Sequence, residues 1–401
     1  MRETAIRRPR LLFVVSEDWY FLSHRAGLAV EASRCGFEVA VATRLRERRA
    51  ELETLPVTVF DLETHRGSLA PWNVVRAVRD LRAIIRTWRP DVVYGVALGL
   101  AIVSCLALRP TRETPIVITI AGLGNVFSSR GWKARARRGV VERLMRTLFS
   151  RESVTVVVQN DDDRQVLQGL LGSASVRLIP GAGVDVDFYR PLSDPTGPFK
   201  IGFVGRLLRD KGVEDLVAAL RMLREGGQPV RAVLAGRVDP GNPSSLDEGT
   251  VRGWVSEGLV EWPGEVRDVR EVWKAAHVAV LPSYREGLPK TLLEAAACGR
   301  ALIATDVPGC RAVVREKENG LLVPVRRPAD LAAAIEEMRA RPDVRREMGR
   351  RGRTLVEQEF SAAKIEAQFV SLFREVEASP SSRRSSLPPA FRGRRSISTK
   401  S

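Results

Sequence analysis

Two glutamates eight positions apart bracket the segment Glu286-Gly-Leu-Pro-Lys-Thr-Leu-Leu-Glu294, and the residues between them suit a turn that opens a helix. Gly287 permits a close backbone approach, and Pro289 fits the first helical turn, where its missing N–H would have had no helical acceptor. The free amides of such a helix start can hold a diphosphate. Glu286, in the loop ahead, can accept hydrogen bonds from hydroxyls beyond the phosphates, while Glu294, two turns in, can reach a ribose diol. Two acceptors flanking an anion site suit one elongated ligand, a nucleotide sugar. The spacing alone also fits an ordinary loop-to-helix junction with solvated glutamates; the context favours the ligand. Val278-Ala-Val-Leu-Pro282 reads as a buried strand, a small-residue helix runs to Cys298-Gly299, and Ala301-Leu-Ile-Ala-Thr305 reads as the next strand. Strand, ligand turn, helix, strand is a βαβ unit, and ligands settle at the carboxyl ends of such strands.

A second anion site lies upstream in Ile201-Gly-Phe-Val-Gly-Arg-Leu-Leu-Arg-Asp-Lys-Gly212. A short apolar strand ends at Gly205, Arg206 follows at once, and Lys211-Gly212 leads into a helix from Val213 to Leu223. Arg206 can fork onto two phosphate oxygens and Lys211 adds a mobile point charge, so the pair can neutralise a departing diphosphate. Taken singly these are solvated charges beside a turn; their place at a strand end, in the same α/β half as the paired glutamates, points to chemistry.

These motifs together resemble the donor half of the GT4 family of retaining glycosyltransferases: Gly205-Arg206 with Lys211-Gly212, Leu281-Pro-Ser-Tyr-Arg-Glu-Gly-Leu-Pro289, Glu294, and Asn319-Gly-Leu-Leu-Val-Pro324. Leu178-Ile-Pro-Gly-Ala-Gly-Val-Asp185 and Ile120-Ala-Gly-Leu-Gly124 extend the resemblance over nearly all of residues 10–375. The resemblance implies a GT-B fold, α/β, with two Rossmann-like doubly wound parallel sheets facing a cleft. It implies an acceptor-binding domain over residues 1–185, a nucleotide-sugar domain over 186–360, and a helix at 361–378 that crosses back to the first domain. Catalytic roles fall on Arg206, Lys211 and Glu286, and donor contacts on Gly205, Gly287, Leu288, Pro289 and Glu294. Tyr20, His24, Gly122, Gly124 and Asn125 stand on the acceptor side. No cofactor or metal is implied. Many relatives carry a His-Gly pair where this chain has Ala121-Gly122, so one contact to the donor sugar is missing. Within the family the first-half motifs look closest to bacterial enzymes that extend polyprenol-diphosphate-linked glycans. The expected partners are a nucleotide-sugar donor, UDP-linked as the commonest case, and a lipid-linked glycan acceptor in surface polysaccharide synthesis. A nucleotide-sugar 2-epimerase can share this architecture, but its family lacks the pairing of Gly-Arg, Lys-Gly and Glu-Gly-Leu-Pro.

Length and composition agree with two domains, since 401 residues with 44% hydrophobic content exceed what one core usually fills. The chain opens on basic residues and a first strand at Leu11–Ser16 rather than a signal-like apolar run, which argues against export. Four cysteines without C-x-x-C spacing read as reduced thiols of a cytosolic protein. Alternating patterns follow: a turn and helix from Glu17 to Cys35, strands at Phe37–Thr43, Val57–Leu62, Asp91–Val96, Ile116–Ile120 and Thr155–Gln159, and a helix from Trp72 to Trp88. The uncharged run Val92–Leu108 is interrupted by Gly95 and Gly99 and reads as a strand and a core helix, not a membrane span.

Of the net charge of +16, Arg130–Arg151 supplies +7 and Ser379–Ser401 supplies +6, so the excess is local. The first segment spaces Val141, Leu144, Met145, Leu148 and Phe149 along one helical face. Such a helix can lie on an anionic membrane surface, placing the protein peripherally on the inner face of the cell membrane, or it can pack on the core with its basic face in water. The Ser-, Pro- and Arg-rich tail over 379–401 lacks apolar periodicity and reads as disordered. Neither segment has the motif of a nucleic-acid reader, and a nonenzymatic basic binding protein is the remaining alternative. Asp161-Asp-Asp163 could hold a metal, but a triplet between a strand and a helix is accounted for by capping and the helix dipole. His24 can contact a cleft ligand or serve as a structural helix-start residue; His277 reads as packing; with His65 they form no ligand cluster.

Overall fold

The computed structural model describes residues 7–46, 48–64, 71–109, 114–122, 132–172 and 176–379. Short runs of Val, Ile, Leu and Ala, apolar on both faces, form two parallel sheets, as expected for strands covered by helices on either side. The first holds β1 (Arg10–Val14), β2 (Glu38–Thr43), β3 (Thr58–Asp61), β4 (Val92–Val96), β5 (Ile116–Ile120), β6 (Val154–Val158) and β7 (Val176–Leu178) in the order β3-β2-β1-β4-β5-β6-β7. The second holds β8 (Lys200–Val204), β9 (Arg231–Ala235), β10 (Val260–Gly264), β11 (Val278–Leu281), β12 (Ala301–Thr305) and β13 (Gly320–Val323) in the order β10-β9-β8-β11-β12-β13. Both chains of crossovers reverse direction beside their first strand, between β1 and β4 and between β8 and β11. A crevice for ligand opens at the carboxyl ends of strands at such a point.

Alternation sorts the first sheet's residues onto two faces. Leu12 and Val14 join one core with the helices Pro71–Trp88, Leu98–Ala107 and Trp132–Phe149. Leu11 and Phe13 join another, covered by the end of the chain: Ile365, Phe369 and Phe373 of helix Ala362–Glu377 are buried there, with Phe373 in ring contact with Phe13, Phe37 and Tyr94. The chain passes between the domains twice, and the two passages lie side by side. Val184 donates to Phe360 O at 2.9 Å and Ala362 to Val184 O at 2.8 Å. Gly183 makes this possible, since at its φ of +67° a Cβ would lie 2.8 Å from Ala362 Cα.

The run from Val92 divides into β4 and the buried helix Leu98–Ala107, and no helix of the described residues is long and apolar enough to cross a membrane. The basic helix, Trp132–Phe149, corrects the reading of its apolar face. Val141, Met145, Leu148 and Phe149 are buried in the first domain's core, so that face is not open to lipid; Leu144, expected beside them, is 37% exposed. Residues 380–401 of the tail, and with them its cations, lie outside the described residues, as does His65. The helix after β1 is broken in two, Asp18–His24 and Ala26–Arg34, at Arg25, whose φ of −134° departs from helical geometry.

Candidate active site in the interdomain cleft

The corner of the cleft between β8 and β11 is built by one glycine. After β8 the chain makes a short 3-10 turn, Arg209–Lys211, and Gly212, at φ +68°, starts helix Val213–Glu225. A Cβ on Gly212 would lie 2.0 Å from Pro282 O, so only glycine lets this turn press against the end of β11. Tyr284 N donates to Asp210 O at 2.9 Å, tying the following loop to the same turn. The result brings Lys211 Nζ to Glu286 Oε1 at 2.5 Å. Arg206, at the carboxyl end of β8, donates through Nη1 to Asp239 Oδ2 at 2.5 Å. Both cations and Glu286 therefore share one corner of the cleft, each cation held by a carboxylate.

Gly287 is where the two domains touch backbone to backbone. A Cβ there would lie 2.7 Å from Ala121 O and 3.0 Å from Gly122 N, and a Cβ on Gly309 would lie 2.6 Å from Gly287 O on the opposite side. Asn160 closes the contact: its Nδ2 donates to Gly287 O at 2.9 Å, while its Oδ1 accepts from Asp163 N at 2.8 Å and caps helix Asp161–Leu171. The cap is thus Asn160, one residue before the aspartates. Asp161 pairs with Arg164 and Asp162 with Arg311 of the second domain.

Pro289 stands one place earlier than its sequence context suggests, with extended geometry ahead of helix Lys290–Ala297, because a ψ of 105° at Pro289 takes it out of the helix. Glu294 sits one turn in, not two, and is 8% exposed. Its Oε1 accepts from Tyr189 OH at 3.1 Å and lies 3.7 Å from Lys290 Nζ. Burial raises its carboxyl above the usual range against the opposing pull of Lys290 and Tyr189. Lys290 Nζ also donates to Ser23 O at 2.7 Å, a second bridge to the first domain.

On the facing wall Tyr20 and His24 stack at 4.4 Å, and Ser23 Oγ meets His24 Nδ1 at 2.6 Å. Burial, with the charges of Lys290 and Arg25, holds the imidazole neutral down to about 3. Arg25 is 1% exposed and donates to Gly181 O at 3.3 Å beneath the interdomain passage. A cavity of about 280 Å³ joins these walls, with Tyr20, His24 and Ala121 on one side and Arg206, Glu286, Gly287 and Leu288 on the other. Gly122 reaches the cleft against Gly287; Gly124 and Asn125 lie outside the described residues. Asn160, Tyr189, Lys290 and Arg25 went unread as site residues. An asparagine directly before a predicted helix is a capping signal that was legible. Nothing local marks Tyr189, 105 residues from its partner.

Residues 198–340 match the family described as Glycosyl transferases group 1, and residues 23–182 match the Glycosyl transferase 4-like domain. The alpha-maltose-1-phosphate synthase of Mycolicibacterium smegmatis is 30% identical over 313 residues, 72% of this chain and 75% of that one. This chain is a group 1, GT4-like glycosyltransferase. The N,N'-diacetylbacillosaminyl-diphospho-undecaprenol alpha-1,3-N-acetylgalactosaminyltransferase of Campylobacter jejuni is 25% identical to the glycosyltransferase over 343 residues, 79% of this chain and 87% of the relative. Anabaena HepE, solved in complex with UDP, superposes with a TM-score of 0.71 at 18% identity, over 91% of this chain and all of that one. The fold of the glycosyltransferase is GT-B, as its motifs imply.

Proposed function

We propose that this glycosyltransferase moves a sugar from a UDP-linked donor to a lipid-diphosphate-linked glycan acceptor, with retention of anomeric configuration. The observation that carries the reading is the corner shared by Arg206, Lys211 and Glu286 at the mouth of the helix that bears Glu294. A diphosphate entering there competes with Asp239 and Glu286 for the two cations and meets the amides at the start of helix Lys290–Ala297. Released from Lys211, Glu286 accepts hydrogen bonds from the sugar hydroxyls, and Glu294, freed from Tyr189, holds the ribose. As the donor bond lengthens, negative charge grows on the diphosphate between fixed cations, which is where preorganised electrostatics lowers a barrier most. The acceptor hydroxyl attacks from the side the diphosphate leaves: its oxygen bonds to the anomeric carbon as the bond to the diphosphate breaks, and its proton passes to the departing diphosphate oxygen. No metal is required, because the cations already supply the neutralising charge. UDP in the HepE complex supports the donor, and the undecaprenol-diphosphate substrate in the Campylobacter enzyme's name supports the acceptor.

A lipid-linked acceptor also gives the basic helix a role. Its outward face presents Val140, 62% exposed, and Leu144 among Arg135, Arg143 and Arg146, which form no ion pair among the described residues. We place this outer face, rather than the buried apolar one, against an anionic membrane.

The test is to incubate purified protein with radiolabelled nucleotide sugars and a polyprenol-diphosphate glycan extract, then count label in the organic phase. Label from one donor, lost in Glu294→Ala, supports the donor and the lipid-linked acceptor, and the anomeric coupling in the NMR spectrum of the product tests retention. Label only on a soluble acceptor removes the lipid-linked substrate, and conversion of the donor without acceptor identifies an epimerase.

A further inference from the structure

The second sheet has a charged cavity at its other edge, where strands begin rather than end. Gly349, in helix Pro342–Leu355, creates it: a Cβ there would lie 2.1 Å from Gly299 O, so glycine lets the helix lie directly on the turn that starts β12. That contact lays Arg345, Arg346, Arg350 and Arg353 around Arg300, enclosing about 250 Å³. Five arginines line the space, and Asp194 is the one acidic residue lining it among the described residues.

Carboxylates outside the cavity take up much of this charge, but one buried donor stays unfilled. Arg300 is 3% exposed and spends its donors on carbonyls, to Trp273 O and Ser193 O at 2.7 Å and Leu192 O at 3.4 Å. Arg345, 5% exposed, gives Nη2 to Asp194 at 2.8 Å and Nη1 to Met338 O at 3.1 Å, but its buried Nε has no acceptor. Arg346 shares Asp194 at 3.4 Å and gives its other terminal nitrogen to Asp343, while Arg353 pairs with Glu357 at 2.6 Å and donates to the carbonyls of Tyr189, Ala297 and Val186. Arg350 stands at the rim, 69% exposed, with Glu347 behind it. Burial, with the charges of Arg345 and Arg300, lowers the adjoining His277 below its usual value. A buried cation with an unfilled donor is costly, and each such group in a folded protein calls for an explanation. A tetrahedral oxyanion with several acceptor oxygens can take donors from Arg345, Arg346 and Arg350 together, as planar guanidinium forks do with phosphate.

We propose that this cavity is a binding site for a small phosphoryl-bearing anion, separate from the cleft and on the opposite edge of the second sheet. Arg345 Nε holds it from within and Arg346 and Arg350 close over it from the rim.

The experiment is titration calorimetry on the full chain carrying Arg206→Ala and Lys211→Ala, which disables the cleft's own cations. Inorganic pyrophosphate and a hexose phosphate are titrated separately. Saturable binding of either by this background, weakened tenfold or more by adding Arg346→Gln and Arg350→Gln, supports the site, and the tighter of the two names the source of the phosphoryl group. Both rim substitutions fall on exposed side chains, and a circular dichroism melt checks that they leave the fold intact. The proposal is overturned if the background binds neither anion at millimolar concentration, or if the rim substitutions leave the binding unchanged.

Discussion

At the scale of single residues, two of the cleft's cations each rest on a carboxylate of their own. Lys211 rests on Glu286 and Arg206 on Asp239, an arrangement that keeps partly buried charges compensated before a ligand arrives. Replacing Arg206 or Lys211 with alanine should lower the transfer rate by roughly 10²–10³-fold, the usual scale for one lost charge-stabilising donor. A steady-state assay beside a thermal melt checks it: the rate should collapse, while the melting temperature falls only by the modest amount that an unpaired Glu286 or Asp239 costs and the chain stays folded at the assay temperature. Near-normal turnover in both variants would take these cations out of the mechanism. The identities of these residues were readable because glycine, cation and carboxylate sit within short segments. Their pairing was not, because Lys211 and Glu286 are 75 residues apart and meet only where Gly212 presses on β11.

At the scale of elements, the last helix behaves as part of the first domain. Its Glu366 lies where a Cβ on Gly27 would come within 2.3 Å of the carboxyl oxygen. Burial, then the charges of Glu31 and Asp185, raises this carboxyl from its ordinary 4.5 to about 7. The folded chain therefore keeps a proton that the unfolded chain gives up, and the stability this confers is full below about 4.5 and lost as pH rises through about 7. Glu366→Gln should melt higher than the natural sequence at pH 8 and lose that advantage at acidic pH; parallel melting curves across the range would refute this. The basic helix teaches the opposite lesson about elements. Its 3.6-residue periodicity was plain, but periodicity marks an apolar face without saying what covers it. Packing by Leu98–Ala107 and β6 decided that the core does.

At the scale of the molecule, two domains meet at Gly287, where backbone approaches backbone. Gly287→Ala would push a Cβ into Ala121 O and hold the domains apart. Small-angle scattering should then show a larger radius for the variant with donor present, and transfer should fall, since closure excludes water from the reacting groups. An unchanged radius would mean that the cleft closes elsewhere. The outer face of the basic helix makes a second whole-molecule prediction. Changing Arg135, Arg143 and Arg146 to glutamine removes about 1 kcal/mol of attraction per charge to an anionic surface. Sedimentation with phosphatidylserine vesicles should drop on the order of a hundredfold in partition coefficient. Full retention on the vesicles would assign the contact to another part of the chain.

The sequence by itself determined the fold class and the family and offered the candidate donor-side residues, because those follow from local patterns: apolar runs of strand length, a glycine where a turn needs one, a cation directly after a strand. The tertiary structure alone decided which residues face one another. Tyr189 reached Glu294, Asn160 reached Gly287, Lys290 reached Ser23, and five arginines from two segments came to surround one cavity. Such meetings depend on how elements pack, and packing is settled by contacts between residues far apart in the chain, which no short window of sequence contains.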